Sequence, residues 1–255
     1  MDLFAKLPEG CIAEIVSFTS PADASALSVI SKCFKSATES DTVWKKFLPP
    51  DIDEIVSKSS IPYYLAPTKK DLYAFLSHSH ILLDGGKLGF FLDKSSGKKC
   101  FIVPPSELVF PTKNYSNIPI MVQELKFSRS IDVAVLNSMD GSMFYIFGRI
   151  SSEKLSEETH YSSYLVCKRS PKHSYLNTSF SVRCRFVDNE GRVVGVSGGK
   201  EFRVPVCRDD GWLEVEIGSF FNAGGNHNNV ESCVSSLSLR LGQSLIVRGI
   251  EFRPS

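Results

Sequence analysis

Hydrophobic residues between positions 7 and 48 recur at helical spacing. Ile12, Ile15 and Val16 fall on one helix face, at i, i+3 and i+4. Ser20 is followed directly by a proline, and an acid stands three residues after Ser20. This spacing is the signature of a capped helix start. Ser40 opens another short apolar segment that ends before a proline pair. The pattern predicts at least three short helices.

The predicted helices carry more apolar side chains than a segment of their length can hide. A unit of about 40 residues buries only a small fraction of its surface when it folds alone. Apolar surface left over on a helical module usually marks a site for a partner. Residues 49–84 extend the module with a short helix or turn after Asp51 and a second capped helix from Thr68 to about His78.

From Lys87 onward the pattern changes to short runs rich in Val, Ile, Phe and Tyr, separated by Gly, Asn, Asp and Pro. Many short strands with frequent turns predict an all-β sandwich or barrel. The predicted strands are Leu88–Leu92, Cys100–Val103, Ile131–Leu136, Met143–Ile150, Tyr161–Lys168, Phe180–Val187, Arg192–Val196, Phe202–Cys207, Trp212–Ile217, Leu237–Leu241 and Leu245–Phe252.

Composition excludes several classes of protein. The 255 residues carry a formal net charge of +1, which is too small for a nucleic-acid footprint. The cysteine count of 7 is odd and no C-x-x-C occurs, which argues against a disulfide framework and a zinc site. We see neither a signal peptide nor an apolar run long enough to span a membrane. The sequence therefore predicts a cytoplasmic or nuclear protein that needs no cofactor or metal.

The N-terminal segment resembles an F-box. Leu7-Pro8, the Ile12/Ile15 pair, Ile30-Ser31-Lys32 and Asp41 to Trp44 stand where that family has its LP, hydrophobic pair, VSK-like turn and D-x-x-W ending. The resemblance implies binding to a Skp-class adaptor and, through it, to a cullin. The residues that we expect to include the adaptor-facing anchors are Leu7, Pro8, Ile12, Ile15, Leu27, Ile30 and Trp44.

The remainder resembles the phloem protein 2 domain. Its motifs are matched by the segments that begin at Gly86 (GKLGFFLDK), Tyr161 (YSSYLVCK), Asp210 (DGWLEV), Gly218 (GSFFN) and Ile246 (IVRGIEFRP). The resemblance implies a β-sandwich related to the tobacco lectin, which binds N-acetylglucosamine oligomers and N-glycans.

The sequence departs from the related lectins where they bind sugar. Those lectins carry two Trp residues in the stretch that corresponds to Ser106–Pro119, and this chain has none there. It also has Ser219 and Asn226–Asn229 where they have acids. We therefore expect weak or no binding of chito-oligosaccharides and high-mannose glycans. The residues that could rebuild a site for a different sugar are Phe110, Tyr115, Asn222 and Asn226.

Together these features predict an α+β multidomain chain: an F-box at residues 1–48, a helical connector at 49–84 and a lectin-like β-sandwich at 85–255. The predicted function is that of a non-enzymatic substrate receptor of a Skp–cullin–F-box ubiquitin ligase, whose β-sandwich selects an unknown target protein. One alternative is a lectin for N-glycans or N-acetylglucosamine sugars. A remote one is a serine hydrolase, since Gly195–Gly199 fits G-x-S-x-G around Ser197.

Overall fold

The computed structural model describes residues 7–59, 66–111, 120–123, 133–137, 144–169, 179–197, 201–225, 228–236 and 244–255. The chain divides into two compact units: Met1–Gly85 with Phe90–Cys100, and Gly86–Gly89 with Phe101–Ser255. The expected class of fold, helices followed by a β-sandwich, is confirmed. The predicted division of the chain at residues 48 and 84 stays a prediction.

Helices dominate the first unit. They are α1 (Glu9–Val16), α2 (Pro21–Leu27), α3 (Lys32–Thr38), α4 (Asp41–Phe47), α5 (Ile52–Ser57) and α6 (Lys69–His78). Serine caps begin three of them: Ser20 accepts a hydrogen bond from the Asp23 amide, Ser31 from the Phe34 amide and Ser40 from the Thr42 amide. These caps satisfy amides that the first helical turn leaves unpaired.

Trp44 and Tyr73 are buried aromatic residues of the first unit and contact each other. The Trp44 indole donates to the Thr38 carbonyl at 2.7 Å, and its ring lies 5.1 Å from that of Tyr73. The Tyr73 hydroxyl donates to the carbonyl oxygens of Asp93 and Lys94, both at 3.1 Å. Burial raises the pKa of Tyr73, so the hydroxyl stays a donor at neutral pH. These two hydrogen bonds attach α6 to the turn that begins at Asp93.

That turn is built by one carboxylate. Asp93 accepts hydrogen bonds from the amide and hydroxyl of Ser96, at 2.8 and 2.7 Å, and from those of Ser95. Burial opposes its ionisation, but these hydrogen bonds outweigh burial and hold the pKa of Asp93 below its ordinary value. The turn therefore keeps its charge, and its geometry, at neutral pH.

The strands are β1 (Ile81–Leu83), β2 (Leu88–Leu92), β3 (Lys99–Val103), β4 (Ile120–Gln123), β5 (Val133–Asn137), β6 (Phe144–Ser151), β7 (Thr159–Arg169), β8 (Phe180–Val187), β9 (Val193–Val196), β10 (Glu201–Arg203), β11 (Val206–Cys207), β12 (Leu213–Asn222), β13 (Asn229–Ser236) and β14 (Ser244–Pro254).

The second unit is a sandwich of two antiparallel sheets. In the first sheet β14 pairs with β7 along its length, and β3 and β5 pair with different parts of its other edge. β12 and β11 continue this sheet beyond β7. The second sheet runs β10-β8-β13-β6, with β9 also on β8. Phe220 of the first sheet meets Phe186 of the second edge-to-face at 5.7 Å, in the core between them.

The predicted strand Phe202–Cys207 is wrong as a single strand. β10 pairs with β8 in the second sheet, whereas β11 pairs with β12 in the first. Pro205 stands between them, and a proline cannot donate to a strand ladder. The chain therefore crosses from one sheet to the other at this point. The predicted strand Leu237–Leu241 lies outside the described residues.

Three strands were absent from the sequence-based prediction: β1, β4 and β13. β13 is the most informative, because it lies between β6 and β8 at the centre of the second sheet. Glu231, Ser232 and Ser235 of this strand are polar and buried. A central strand with buried polar residues lacks the apolar run that marks one in a sequence.

Gly97 offers a direct test of packing in the first unit. Its backbone has φ +71°, and a Cβ there would collide with the carbonyl oxygen of Phe47. Gly85 has almost the same φ, +70°, but faces open space. A left-handed conformation alone costs a residue with a Cβ about 1–2 kcal/mol. We therefore expect Gly85→Ala to lower the free energy of unfolding by about 1 kcal/mol, and Gly97→Ala to lower it by about 3 kcal/mol or more.

Urea unfolding followed by circular dichroism at 222 nm measures both variants. Because the two substitutions share the same backbone strain, the difference between them isolates the collision with Phe47. Equal losses for Gly97→Ala and Gly85→Ala would show that the turn does not pack on α4 in this way.

Candidate functional site

The predicted adaptor-facing residues differ in exposure: two are buried, one is half-buried and four are exposed. Ile12 and Trp44 are 1% and 4% exposed, so they belong to the core of the first unit. Leu27 is half-buried, and Pro8 is exposed. Leu7, Ile15 and Ile30 are exposed at 40%, 45% and 67%. Only the exposed group is available to a partner without rearrangement of the core.

Two exposed apolar residues belong with this group and were not predicted. Phe18 is 75% exposed just after α1, and Val29 is 85% exposed in the turn after α2. Both lie outside the helices, where helical periodicity gives no signal. The Lys46 ammonium lies 4.0 Å from the centre of the Phe18 ring and pairs with Glu14 at 3.0 Å. We call Leu7, Ile15, Phe18, Val29 and Ile30 the apolar helix surface.

The predicted sugar-binding residues do not form a site among the described residues. Phe110 is half-buried in the segment that follows the short 3-10 helix Pro105–Glu107. Asn222 is 3% exposed, and its amide donates to the carbonyl oxygens of Ser152 at 3.2 Å and Ser156 at 3.0 Å. Its donors are thus already used within the fold. Tyr115 and Asn226 lie outside the described residues.

Two of the segments that resemble phloem protein 2 motifs contribute to an ion-pair network with Arg208. Glu251 accepts from Arg208 at 2.9 Å, and Glu214 accepts from Arg253 at 2.8 Å. Arg208 also lies 3.4 Å from Asp210. Burial lowers the pKa of Arg253, but the carboxylates of Glu251 and Glu214 outweigh burial and raise it above its ordinary value. This network joins the end of β14 to β12 and the loop before it.

Trp212 lies beside this network and packs in a cluster with Val133 and Val166. It is 8% exposed, and the Lys168 ammonium lies 4.5 Å from the centre of its ring. It directly precedes β12, and its burial assigns it to packing. The Trp212 ring is therefore not presented to a sugar.

The described part of the G-x-S-x-G segment, residues 195–197, does not have the setting of a nucleophile elbow. Such an elbow places its serine on a tight turn between a strand and a helix. Ser197 directly follows β9, and the next element is β10, a strand. The Ser197 hydroxyl donates to the backbone carbonyl of Ser219. The residues around it thus lack the geometry that the hydrolase alternative requires.

Two family models match the chain. The F-box domain model matches residues 4–46, and the phloem protein 2 model matches residues 98–254. The chain belongs to the F-box proteins that carry a phloem protein 2 domain. This agrees with both resemblances in the sequence, and the F-box/phloem protein 2 order is that of the chain's two units.

Proteins of Arabidopsis thaliana share this arrangement along most of their length. The putative F-box protein PP2-B12 is 36% identical over 260 residues, covering 98% of each chain. F-box protein PP2-B10 is 34% identical over 99% of this chain and 94% of its own. F-box protein SKIP3 is 34% identical over 98% of this chain and 87% of its own.

Among solved structures, the CBM22-1 xylan-binding domain of a Paenibacillus barcinonensis protein is similar to 59% of this chain and 87% of its own, with 8% identity. The TM-score is 0.33, which is too low to establish a shared fold.

In the described part of the chain, no helix is long and apolar enough to cross a membrane.

Asn222→Ala tests whether this residue is structural. The substitution removes the Asn222 donor from the Ser156 carbonyl and from the Ser152 carbonyl, which also accepts from the Leu155 amide, and an unsatisfied buried group costs about 1–3 kcal/mol. We expect the free energy of unfolding to fall by about 2 kcal/mol or more, measured by urea denaturation. The matched control is Asn189→Ala, since Asn189 is exposed and, among the described residues, its side chain accepts a hydrogen bond only from Asn229, at 3.2 Å.

A change of less than about 0.5 kcal/mol in both variants would show that Asn222 is dispensable for the fold. That result would favour the predicted role of Asn222 in sugar binding over a structural role.

Proposed function

We propose that this F-box/phloem protein 2 protein is a substrate receptor of a Skp–cullin–F-box ubiquitin ligase. The observation that carries the proposal is the apolar helix surface, which lies within a segment that the F-box model matches. The first unit docks the Skp-class adaptor, and the β-sandwich selects the target protein. The chain itself supplies recognition and no chemistry.

The physical basis of adaptor docking is the exposure of large apolar side chains that the fold itself cannot cover. Phe18, Val29 and Ile30 expose two-thirds or more of their surface. Burying one such side chain fully is worth about 1.5–3 kcal/mol. Association costs about 4–15 kcal/mol in lost freedom of motion. Several of these side chains must therefore be buried together, which favours a partner that covers α1 and the turn after α2.

The charge of the same region is compatible with this role. Glu14 at the end of α1 pairs with Lys46, and Glu9 accepts a hydrogen bond from the Ser36 hydroxyl at 2.8 Å. These polar groups are close in the sequence to the exposed residues Ile15 and Phe18. A polar rim around an apolar centre is the usual anatomy of a protein–protein interface.

Selection of a protein target by the β-sandwich is supported by what the sandwich lacks for sugar. Trp212 and Asn222, two of the described residues that could stack on a sugar or bind its hydroxyls, are both buried in the fold. The stretch Ser106–Pro119 contains no Trp. A role in binding N-acetylglucosamine sugars therefore has less support than a role in binding protein.

Val29→Asp with Ile30→Asp tests adaptor docking. Both side chains point into solvent, so the double variant should fold normally. Binding to a purified Skp-class adaptor, measured by biolayer interferometry, should weaken at least about 30-fold, because central apolar anchors cost about 2 kcal/mol or more when lost.

The matched control is Val193→Asp with Val194→Asp. These two valines are exposed at 47% and 53%, and they lie in the β-sandwich. The control adds the same charge and should bind the adaptor as the unmodified chain does. If the Val29/Ile30 variant keeps full affinity while its thermal unfolding is unchanged, the apolar helix surface is not the adaptor site.

A further inference from the structure

The outer face of the second sheet carries an ordered array of side chains that no function described above uses. Directly opposite residues in neighbouring strands point to the same side of a sheet. The registers of β6, β13 and β8 therefore define three rows on this face. The rows are Tyr145–Ser235–Ser181, Phe147–Cys233–Arg183 and Arg149–Glu231–Arg185.

A groove of about 250 Å³ lies over these rows. Its centre is formed by small side chains, with Ser181, Cys233 and Ser235 along the lining. One wall is formed by Tyr145 and Phe147, whose rings are stacked at 6.4 Å with 16° between their planes. The opposite wall includes Arg183 and Arg185. The groove is thus apolar on one side and cationic on the other.

The charges on this face do not balance. Glu231 is the acid of the third row, and its carboxylate is buried. One oxygen accepts from Arg149 at 2.7 Å, and the other accepts from Arg185 at 2.6 Å. One carboxylate therefore serves two guanidinium groups. Each oxygen contacts both the Nε and an Nη nitrogen of one guanidinium, so Arg149 and Arg185 together fill the acceptor positions of Glu231.

Arg183 is exposed and makes no ion pair or hydrogen bond with any other residue that the structure describes. It lies two residues from Arg185 on the same face of β8, where like charges repel. Among the described residues of the three rows, Arg149, Arg183 and Arg185 against Glu231 leave a net charge of +2. A ligand with an anionic group would balance part of this charge.

Apolar surface continues past the arginines onto the edge strands. Phe202 of β10 pairs with Ser181, and Val196 of β9 pairs with Arg185, so both point to the same side as the groove. Phe202 is 60% exposed and Val196 is 63% exposed. A ligand that reaches across this face would place apolar groups on both sides of its anionic group.

We infer that this face binds an acidic segment of the target protein, in which an Asp or Glu carboxylate is flanked by apolar or aromatic side chains. The carboxylate pairs with Arg183 and lies beside Arg185, which Glu231 already holds in place. The neighbouring apolar side chains pack on Tyr145 and Phe147 and on Phe202. This inference rests on the proposed function, because it names the class of target that the receptor selects.

Charge favours this ligand over others. A neutral sugar would leave Arg183 without a counter-ion. A nucleic acid would need a larger basic surface than a chain of net charge +1 provides. An acidic peptide supplies one charge-assisted, bidentate contact and the apolar groups that both edges of the face require.

The test is a selection of random dodecapeptides displayed on phage against the full chain, with counter-selection on the Arg183→Glu variant. We expect the recovered peptides to be enriched in Asp or Glu next to Leu, Ile, Phe or Trp. A fluorescein-labelled peptide from this pool should bind with a Kd that rises at least tenfold for Arg183→Gln and for Tyr145→Ala. It should also rise with salt concentration.

The matched control is Arg192→Gln. Arg192 is also a solvent-exposed arginine of the β-sandwich, but it pairs with Asp188 at 2.8 Å in the loop after β8. Removal of this charge should leave the Kd of the peptide within twofold. Thermal unfolding of each variant establishes that the fold is kept.

The inference is overturned if the recovered peptides show no acidic enrichment or bind Arg183→Gln as tightly as the unmodified chain. It is equally overturned if only trigalacturonate, an acidic sugar, binds in an Arg183-dependent way. Adaptor binding of the same variants is measured in parallel and should not change. Failure of the unmodified chain to bind the adaptor counts against the proposed function. The peptide experiment tests only the inference that the groove binds an acidic segment.

Discussion

The first unit is governed by the small volume of its core. Its short helices each bury one face, and the shared interior is filled by residues such as Ile12, Val16 and Trp44. The Trp44 indole and the Tyr73 hydroxyl find backbone acceptors inside this interior, which fixes the helices in one arrangement. The residues of the apolar helix surface do not fit into this core and remain exposed to solvent. The proposed docking surface is thus a direct result of the packing limit.

The residues of the family motifs and those of the proposed target-binding face lie on different parts of the β-sandwich. The DGWLEV and IVRGIEFRP motifs supply Asp210, Glu214, Glu251 and Arg253, which hold β12 and β14 together. The outer face of the second sheet is built on different strands, and its side chains are not needed to join the sheets. The proposed target-binding face is therefore separate from the ion pairs that join β12 to β14.

The sequence predicted what depends on local spacing. Capping serines and helical periodicity located α1, α2 and α4, and runs of β-branched residues located most strands. Periodicity found the apolar face shared by Ile12 and Ile15, but it does not distinguish the residue that reaches the core from the one that remains exposed. β13 was missed because its buried Glu231 is stabilised by arginines on two other strands, a long-range pairing with no local signal. The sequence gives no local signal of the structural role of Asn222 either, because its two carbonyl partners lie about 70 residues away.

The central claim is that adaptor and target meet different units of this chain. Hydrogen–deuterium exchange of the full chain, alone and with a purified Skp-class adaptor, tests it directly, because amides slow their exchange where a partner stabilises the structure. The account predicts protection in peptides that cover residues 9–38 and unchanged exchange in peptides that cover β6, β8 and β13. Protection of the second sheet by the adaptor, or no protection of the helices at saturating adaptor, would contradict it.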